Sequence, residues 1–153
     1  MRKITTIVLS AFLFSATACA SDNKPFTGEI TGVKLVTNYD DFKAEHESYD
    51  VAEADVALIK NIDRPLDIHV LFGTWCHDSA REVPRYLKLL ADAGNKNITT
   101  KLIGVDYKKT ADEKYDLKYT PTFIVFSEGV EIGRIIERPK ASIAQDLADI
   151  VNQ

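Results

Sequence analysis

The stretch from Val70 to Pro84 constrains the fold of this chain more than any other part of it. An apolar run leads into a turn of small residues, then a cysteine, then a polar segment that begins a helix. A buried strand followed directly by a helix places Cys76 beside the free N–H groups and the positive dipole end of that helix. This environment favours the thiolate, so the pattern predicts a nucleophile. The alternative is an inert, buried thiol.

The spacing of apolar residues predicts alternating helices and strands around this stretch. Asp50 and Glu53 form a capping-box pattern, which predicts a helix from Asp50 to about Asn61. Gly94 predicts the end of the helix that contains Pro84. The remaining predicted elements are strands at 66–72, 98–105, 122–126 and 130–136, a helix at 79–93, a helix or loop at 107–115, and a last helix after Pro139. This order predicts an α/β fold, with a central mixed sheet and helices on both faces.

The first residues have the pattern of an export signal. Arg2 and Lys3 precede an apolar segment and a small-residue stretch that suits cleavage. The apolar segment is too short to span a bilayer. Residues 16–19 resemble a bacterial lipoprotein box, which implies that Cys19 is lipidated and attaches the protein to a membrane on the periplasmic side. The alternatives are simple cleavage near residue 18 or 20 and a buried N-terminal helix.

A length of 153 residues predicts a single folded domain. We expect a signal peptide at 1–20, a tether and extension at 21–49, and the domain itself at 50–153. Within the extension, 27–37 is predicted to be a short strand or irregular edge, and 39–47 a helical turn or two.

The formal net charge is −4, and removing the signal leaves 17 basic and 23 acidic residues, a net charge of −6. Such a balance argues against nucleic acid as a partner.

The chain has two cysteines, Cys19 and Cys76. If Cys19 is lipidated or removed, the mature protein has one thiol and no internal disulfide. Exported proteins normally pair their cysteines, so a single free thiol points to a chemical role.

The motif Trp75-Cys76-His77-Asp78-Ser79 is similar to the Trp-Cys-x-x-Cys active-site motif of thioredoxin-like proteins. Pro84 matches the proline that kinks the active-site helix of that family, and residues 119–122, Tyr-Thr-Pro-Thr, resemble its cis-proline loop. The resemblance covers about residues 50–152 and implies a thioredoxin-like fold.

The resemblance also implies roles for the matched residues. Cys76 would attack a disulfide, and Pro121 would be cis, which lets the preceding backbone pair with a bound substrate. The implied substrate-binding residues are Trp75, His77, Asp78, Thr120 and Pro121. The alternatives are that Trp75 belongs to the core, that Pro121 is an ordinary trans proline, and that His77 and Asp78 form a solvated helix start.

Three departures from the family pattern bear on mechanism. Ser79 replaces the second cysteine, so a mixed disulfide at Cys76 cannot be resolved within the chain. The Ser79 hydroxyl can donate a hydrogen bond to the thiolate, which gives it a predicted catalytic role. Val70 stands where dithiol members carry a buried acid, and Leu102 stands near the place of its lysine partner. Asp78 carries a negative charge that opposes thiolate formation, whereas His77 would offset it when protonated.

Glu137 stands about where family members have a small glycine beside the partner surface. With Arg134, Arg138 and Pro139 it predicts a charged docking edge. The alternative is a solvated strand end.

We therefore predict an exported monothiol protein that exchanges disulfides with protein or small-molecule thiols and disulfides, and that an external thiol resolves the intermediate. The alternatives are a non-catalytic client-binding module and a peroxide-reacting cysteine. No cofactor is predicted. No metal site is predicted either, because adjacent ligands at a helix start cannot all face one ion, and His46 and His69 are distant in sequence.

Overall fold

The computed structural model describes residues 24–111 and 113–153. These residues form five strands, five α-helices and a one-turn 3₁₀ helix at Glu113–Tyr115. In chain order, the strands and α-helices are β1 (Gly28–Ile30), α1 (Gly32–Asn38), α2 (Asp40–Ser48), α3 (Glu53–Lys60), β2 (Leu66–Phe72), α4 (His77–Ala93), β3 (Ile98–Gly104), β4 (Thr122–Ser127), β5 (Val130–Ile136) and α5 (Ile143–Val151).

The strands form one mixed sheet in the order β1-β3-β2-β4-β5. β2 and β3 are parallel, and the other neighbouring pairs are antiparallel. Val70 on β2 lies opposite Leu102 on β3, and both side chains are buried. The two positions that the resemblance relates to a buried acid and its lysine partner are therefore apolar neighbours in the core.

Alternating residues of the central strands cover two faces of the sheet. Ile68, Val70 and Phe72 point into the larger core cluster, which also receives buried side chains from all five α-helices. Leu71 and Ile124 point to the opposite face, where a smaller cluster includes Tyr115 of the 3₁₀ helix. The predicted α/β architecture with a central mixed sheet is confirmed, with the α-helices on one face and the 3₁₀ helix on the other.

The strands predicted at 66–72, 98–105, 122–126 and 130–136 are found within one residue of their expected ends. The segment 27–37, predicted to be a short strand or irregular edge, instead contains the three-residue β1 and most of α1. α4 begins at His77, two residues before the prediction, and Gly94 ends it in the left-handed conformation with φ 59°. Pro84 lies inside α4, and Val83 and Tyr86 on its inner face are fully buried.

The predicted capping box at Asp50 is wrong. α3 begins at Glu53 with Ala52 as its N-cap, and no side chain caps it. Because Ala52 has extended backbone angles, φ −67° and ψ 136°, Asp50 lies outside the helix start.

The segment predicted as a tether and extension contributes to the core. Leu35 on α1 and Phe42 on α2 are almost fully buried in the larger cluster, and β1 pairs with β3. The packing unit therefore extends across the expected boundary at residue 50. The predicted signal peptide and Cys19 lie outside the described residues.

Candidate active site

Cys76 is the N-cap residue of α4, with φ −97° and ψ 121°. Its N–H donates to the Gly73 carbonyl at 3.0 Å, and its own carbonyl accepts the Ala80 N–H at 2.9 Å. The side chain is half-buried. The turn after β2 and the first bonds of α4 thus hold the sulfur at the helix N-terminus, where the helix dipole favours negative charge.

The loop before β4 lies against this sulfur. The Thr120–Pro121 peptide bond is cis, as the resemblance implies. Cys76 Sγ donates to the carbonyl oxygen of Thr120 at 3.1 Å. The Pro121 carbonyl in turn accepts the N–H of Glu137 at 2.8 Å. The structure therefore brings together Cys76, Thr120 and Pro121, three of the predicted site residues.

Ser79 is fully buried and does not contact the sulfur through a hydrogen bond. Its Oγ accepts the Gly73 N–H at 3.2 Å. The predicted hydrogen bond from Ser79 to Cys76 is absent among the described residues, and the sulfur contacts the Thr120 carbonyl instead. Ser79 thus ties the first turn of α4 to the turn that carries the cysteine.

Trp75 packs across the same turn. Its Nε1–H donates to the Val105 carbonyl at 3.1 Å, and its ring lies 5.2 Å from that of Tyr107. A Cβ added at Gly73 would come within 2.6 Å of the Trp75 ring, so the indole needs a glycine beneath it. These contacts hold the indole in place, and the half-buried Trp75 side chain is still partly exposed beside the cysteine.

Asp78 is the centre of an ion-pair cluster. Its Oδ1 accepts hydrogen bonds from Arg81 Nη2 at 2.8 Å and from Arg138 Nε at 3.1 Å. Burial opposes ionisation of Asp78, but the hydrogen bonds from the two arginines outweigh it and lower its pKa. Arg81 also pairs with the buried Glu82 at 2.6 Å. The Asp78 charge is therefore compensated inside the protein, two residues from the thiol.

The sequence prediction missed this cluster in part. Arg81 is three residues after Asp78, a spacing that brings helical side chains together, so a local signal existed. Arg138 has no such signal, because it reaches Asp78 from the far end of β5. The predicted docking edge is also divided. Arg138 binds Asp78, whereas Arg134 pairs with Glu131 at 2.6 Å.

The surface beside the cis-proline loop carries exposed apolar side chains. Tyr119 is 53% exposed and Ile136 is 46% exposed. Between them in the fold, Glu137 has φ 59°, a left-handed conformation that is rare for a residue with a side chain. The surface next to the Cys76–Thr120 contact is therefore apolar, and its backbone has an unfavourable conformation at Glu137.

A cavity of about 650 Å³ opens on another side of Cys76, between α2 and the start of α4. Asp41, Ala44 and Glu45 line it from α2, and His77, which is exposed, lines it from α4. None of the residues that line it belongs to the Thr120–Pro121 loop.

His69 lies on the far face of β2, where it bonds Asp67 and Tyr115. Within residues 24–111 and 113–153, no group of three or more histidine, cysteine or acidic side chains is placed to hold a metal ion. In the same part of the chain, none of the helices has the length and hydrophobicity that crossing a bilayer requires.

Comparisons with known proteins agree with this geometry. The family model described as thioredoxin matches residues 30–149. A thioredoxin from Echinococcus granulosus is 36% identical over 74 residues, which cover 48% of this chain and 67% of that protein.

Two solved structures have a similar fold at 18% identity and a TM-score of 0.51, and each match covers 80% of this chain. One is a protein of unknown function from Pseudomonas aeruginosa, covered over 79% of its length. The other is an HIV epitope-scaffold, covered over 76%. At that identity, these two matches establish the fold alone.

Proposed function

Because this chain belongs to the thioredoxin family, whose model spans residues 30–149, we propose that it exchanges disulfides through a single nucleophile, Cys76. Family membership indicates thiol–disulfide exchange in general. The observation that carries the specific proposal is the position of Cys76 Sγ, at the N-terminus of α4 and 3.1 Å from the Thr120 carbonyl.

The first half of the reaction follows from this position. In the thiol form, Cys76 donates a hydrogen bond to the Thr120 carbonyl. Loss of that proton removes the donor, leaves the sulfur facing a carbonyl oxygen, and makes the helix N-terminus its favourable electrostatic partner. The thiolate then attacks a client disulfide, one client sulfur leaves as a thiolate, and the other stays bonded to Cys76.

The second half needs a thiol from outside the chain. Ser79 occupies the place of the family's second cysteine, and a hydroxyl cannot form a disulfide. Its Oγ is also buried and bonded to the Gly73 N–H. We therefore assign Ser79 as a positioning residue for the Cys76 turn, and an external thiol as the group that releases the client.

The test is covalent capture of a disulfide-bonded peptide that carries a fluorescent label. The wild-type protein should form a mixed disulfide, visible as a mass increase at Cys76, and Cys76→Ser should form none. In parallel, the rate of Cys76 alkylation is followed against pH and compared with that of a free cysteine peptide. Absence of the mixed disulfide, together with alkylation no faster than the free peptide at neutral pH, contradicts the proposal.

A second candidate function is a client-binding module without turnover. The exposed side chains of Tyr119 and Ile136 beside the cis-proline loop favour it, because apolar surface of this kind suits a peptide partner. Retention of the same unlabelled clients by wild type and Cys76→Ser, with equal affinity, supports this function. Retention that requires Cys76 supports exchange.

We also propose export, cleavage directly before Cys19 and lipidation of that cysteine, which would anchor the protein on the periplasmic side of a bacterial membrane. The support is the sequence alone: Arg2 and Lys3, the short apolar segment and the small residues before Cys19. Mass spectrometry of the mature protein decides this point. Lipid on an N-terminal Cys19 supports it, and an intact or differently cleaved N-terminus contradicts it.

A further inference from the structure

Cys76 lies between two different surfaces. On one side its Sγ contacts the Thr120 carbonyl, next to the exposed apolar side chains where a client would bind. On another side it lines the cavity of about 650 Å³ between α2 and α4. No residue of the cis-proline loop lines the cavity, so a client bound along that loop leaves the cavity open.

Thiol–disulfide exchange needs such an arrangement. The attacking thiolate approaches a disulfide along the S–S axis, from the side opposite the leaving sulfur, and access to that side limits the rate. With the client sulfur on the Thr120 side, the cavity is a space beside Cys76 that the client leaves open to a second thiol. We propose that this cavity is the binding site for the external thiol, an inference that rests on the function proposed above.

The charges in the cavity indicate the class of thiol. Glu45 is paired with Arg85 at 2.6 Å, and Arg81 is paired with Asp78 and Glu82. Asp41, in the first turn of α2, is exposed and makes no ion pair with a described residue. With His77, the other lining side chain that can ionise, counted as neutral, the uncompensated charge is negative, and the cavity favours a small thiol that carries an ammonium group over one that carries a carboxylate.

The small thiolate attacks Cys76 Sγ, a new S–S bond forms, and the client sulfur leaves as a thiolate with the electron pair of the broken bond. A second small thiolate attacks the small-molecule sulfur of that intermediate and frees the Cys76 thiolate. One client disulfide is reduced to two thiols, and two small thiols are oxidised to one disulfide.

The experiment separates capture from release. A fluorescent peptide, too large for the cavity, is captured at Cys76, and its release by cysteamine or by 3-mercaptopropionate is followed at equal thiolate concentration and low salt. Ala44→Phe narrows the cavity, and Asp41→Asn removes its charge. Ala57→Phe on α3 and Asp40→Asn on α2 are matched controls, since neither position lines the cavity and both are exposed. The fluorescence of the single tryptophan and far-UV circular dichroism check that each variant is folded.

Relative to the capture rate, the release rate should fall about tenfold in Ala44→Phe with either thiol, because access to the sulfur is blocked. The wild type should prefer cysteamine, and Asp41→Asn should reduce that preference about threefold, the effect of one charge several ångströms away in a largely aqueous site. The controls should match the wild type both in the ratio of release rate to capture rate and in the preference for cysteamine.

If the ratio of release rate to capture rate is unchanged in Ala44→Phe, the cavity assignment is overturned. If the preference for cysteamine is unchanged in Asp41→Asn, the aminothiol class is overturned. Failure of capture in the wild type contradicts the proposed function itself.

Discussion

Asp78 accepts a hydrogen bond from Arg138 Nε at 3.1 Å, although the two residues are 60 positions apart in the chain. Arg138 follows Glu137, whose N–H binds the Pro121 carbonyl. A single short segment after β5 therefore contacts both the first turn of α4 and the cis-proline loop. These are the two elements whose separation sets the distance from Cys76 to the proposed client surface.

The Asp78–Arg138 pair should influence the reactivity of Cys76. In Arg138→Gln the Asp78 carboxylate loses one of its two cationic partners, and its charge then opposes the thiolate more strongly. Alkylation of Cys76 at pH 7 and low salt should slow about twofold to threefold. Asp78→Asn in the same background should restore the rate, since the opposing charge is gone.

Arg134→Gln is the matched control, because Arg134 pairs with Glu131 instead of Asp78. If Arg138→Gln leaves the rate unchanged, or if the double variant is slower still, the electrostatic explanation is wrong.

Asp78 should also make stability depend on pH. Its pKa in the folded protein is lowered, because the arginine hydrogen bonds outweigh the effect of burial. A lowered pKa stabilises the folded state above the unfolded value of about 3.9, and this stabilisation is lost as the pH falls through the lowered pKa. Arg138 is 65% exposed, so solvent screening limits the effect to about 1 kcal/mol or less.

Urea unfolding of wild type and Asp78→Asn measures this contribution. The wild type should be the more stable at pH 7, and the difference should shrink toward pH of about 2 as Asp78 becomes protonated. Asp92→Asn is the control, because Asp92 is exposed on the same helix and makes no ion pair with a described residue. Its stability should differ less from that of the wild type. A difference that grows on acidification contradicts the assignment.

Ser79→Cys should supply the missing resolving thiol. Position 79 lies three residues after Cys76 on the first turn of α4, so the two sulfurs can approach. The variant should release captured peptide without any external thiol and should then contain an internal disulfide. Ser79→Ala is the control and should release none. It should also lose about 1–3 kcal/mol of stability, because the buried Gly73 N–H loses its acceptor. A folded Ser79→Cys that still needs external thiol contradicts the prediction.

Gly73→Ala should displace Trp75. The added Cβ would lie 2.6 Å from the indole ring, so the ring must move and its bond to the Val105 carbonyl must weaken. The expected cost is about 1–3 kcal/mol, typical of overpacking. Trp75 is the one tryptophan in the chain, so its fluorescence should shift to longer wavelength as the ring becomes more exposed.

Trp75→Ala tests the cause of that cost. If the clash is responsible, Gly73→Ala should lower the free energy of unfolding much less in the Trp75→Ala background than in the wild type. Equal costs in the two backgrounds point instead to the backbone at position 73.

Patterns that are local in sequence were predictable. The period-two runs of β2 and β5 gave both strands at their observed bounds, and Gly94 marked the end of α4. α1 was not recognised as a helix, because Gly32, Val33 and Val36 have low helix propensity and the burial of Leu35 against distant residues stabilises it.

Patterns that depend on tertiary contacts were not predictable. The motif placed Ser79 near Cys76, but the direction of its hydroxyl depends on how the turn presents the Gly73 N–H. Asp78 was predicted beside the thiol, but its compensation depends on Arg138, which no local spacing connects to it. The cavity formed with α2 arises in the same way, from packing between segments that are far apart in sequence.

The most direct test of the account is the rate of peptide release from the Cys76 mixed disulfide as a function of external thiol concentration. Wild-type protein should release nothing when no thiol is present, and the rate should rise in proportion to thiol at low concentration. The Cys76→Ser variant should neither capture nor release. Release from the wild type without external thiol, or turnover by Cys76→Ser equal to that of the wild type, would contradict a single nucleophile that depends on an outside thiol.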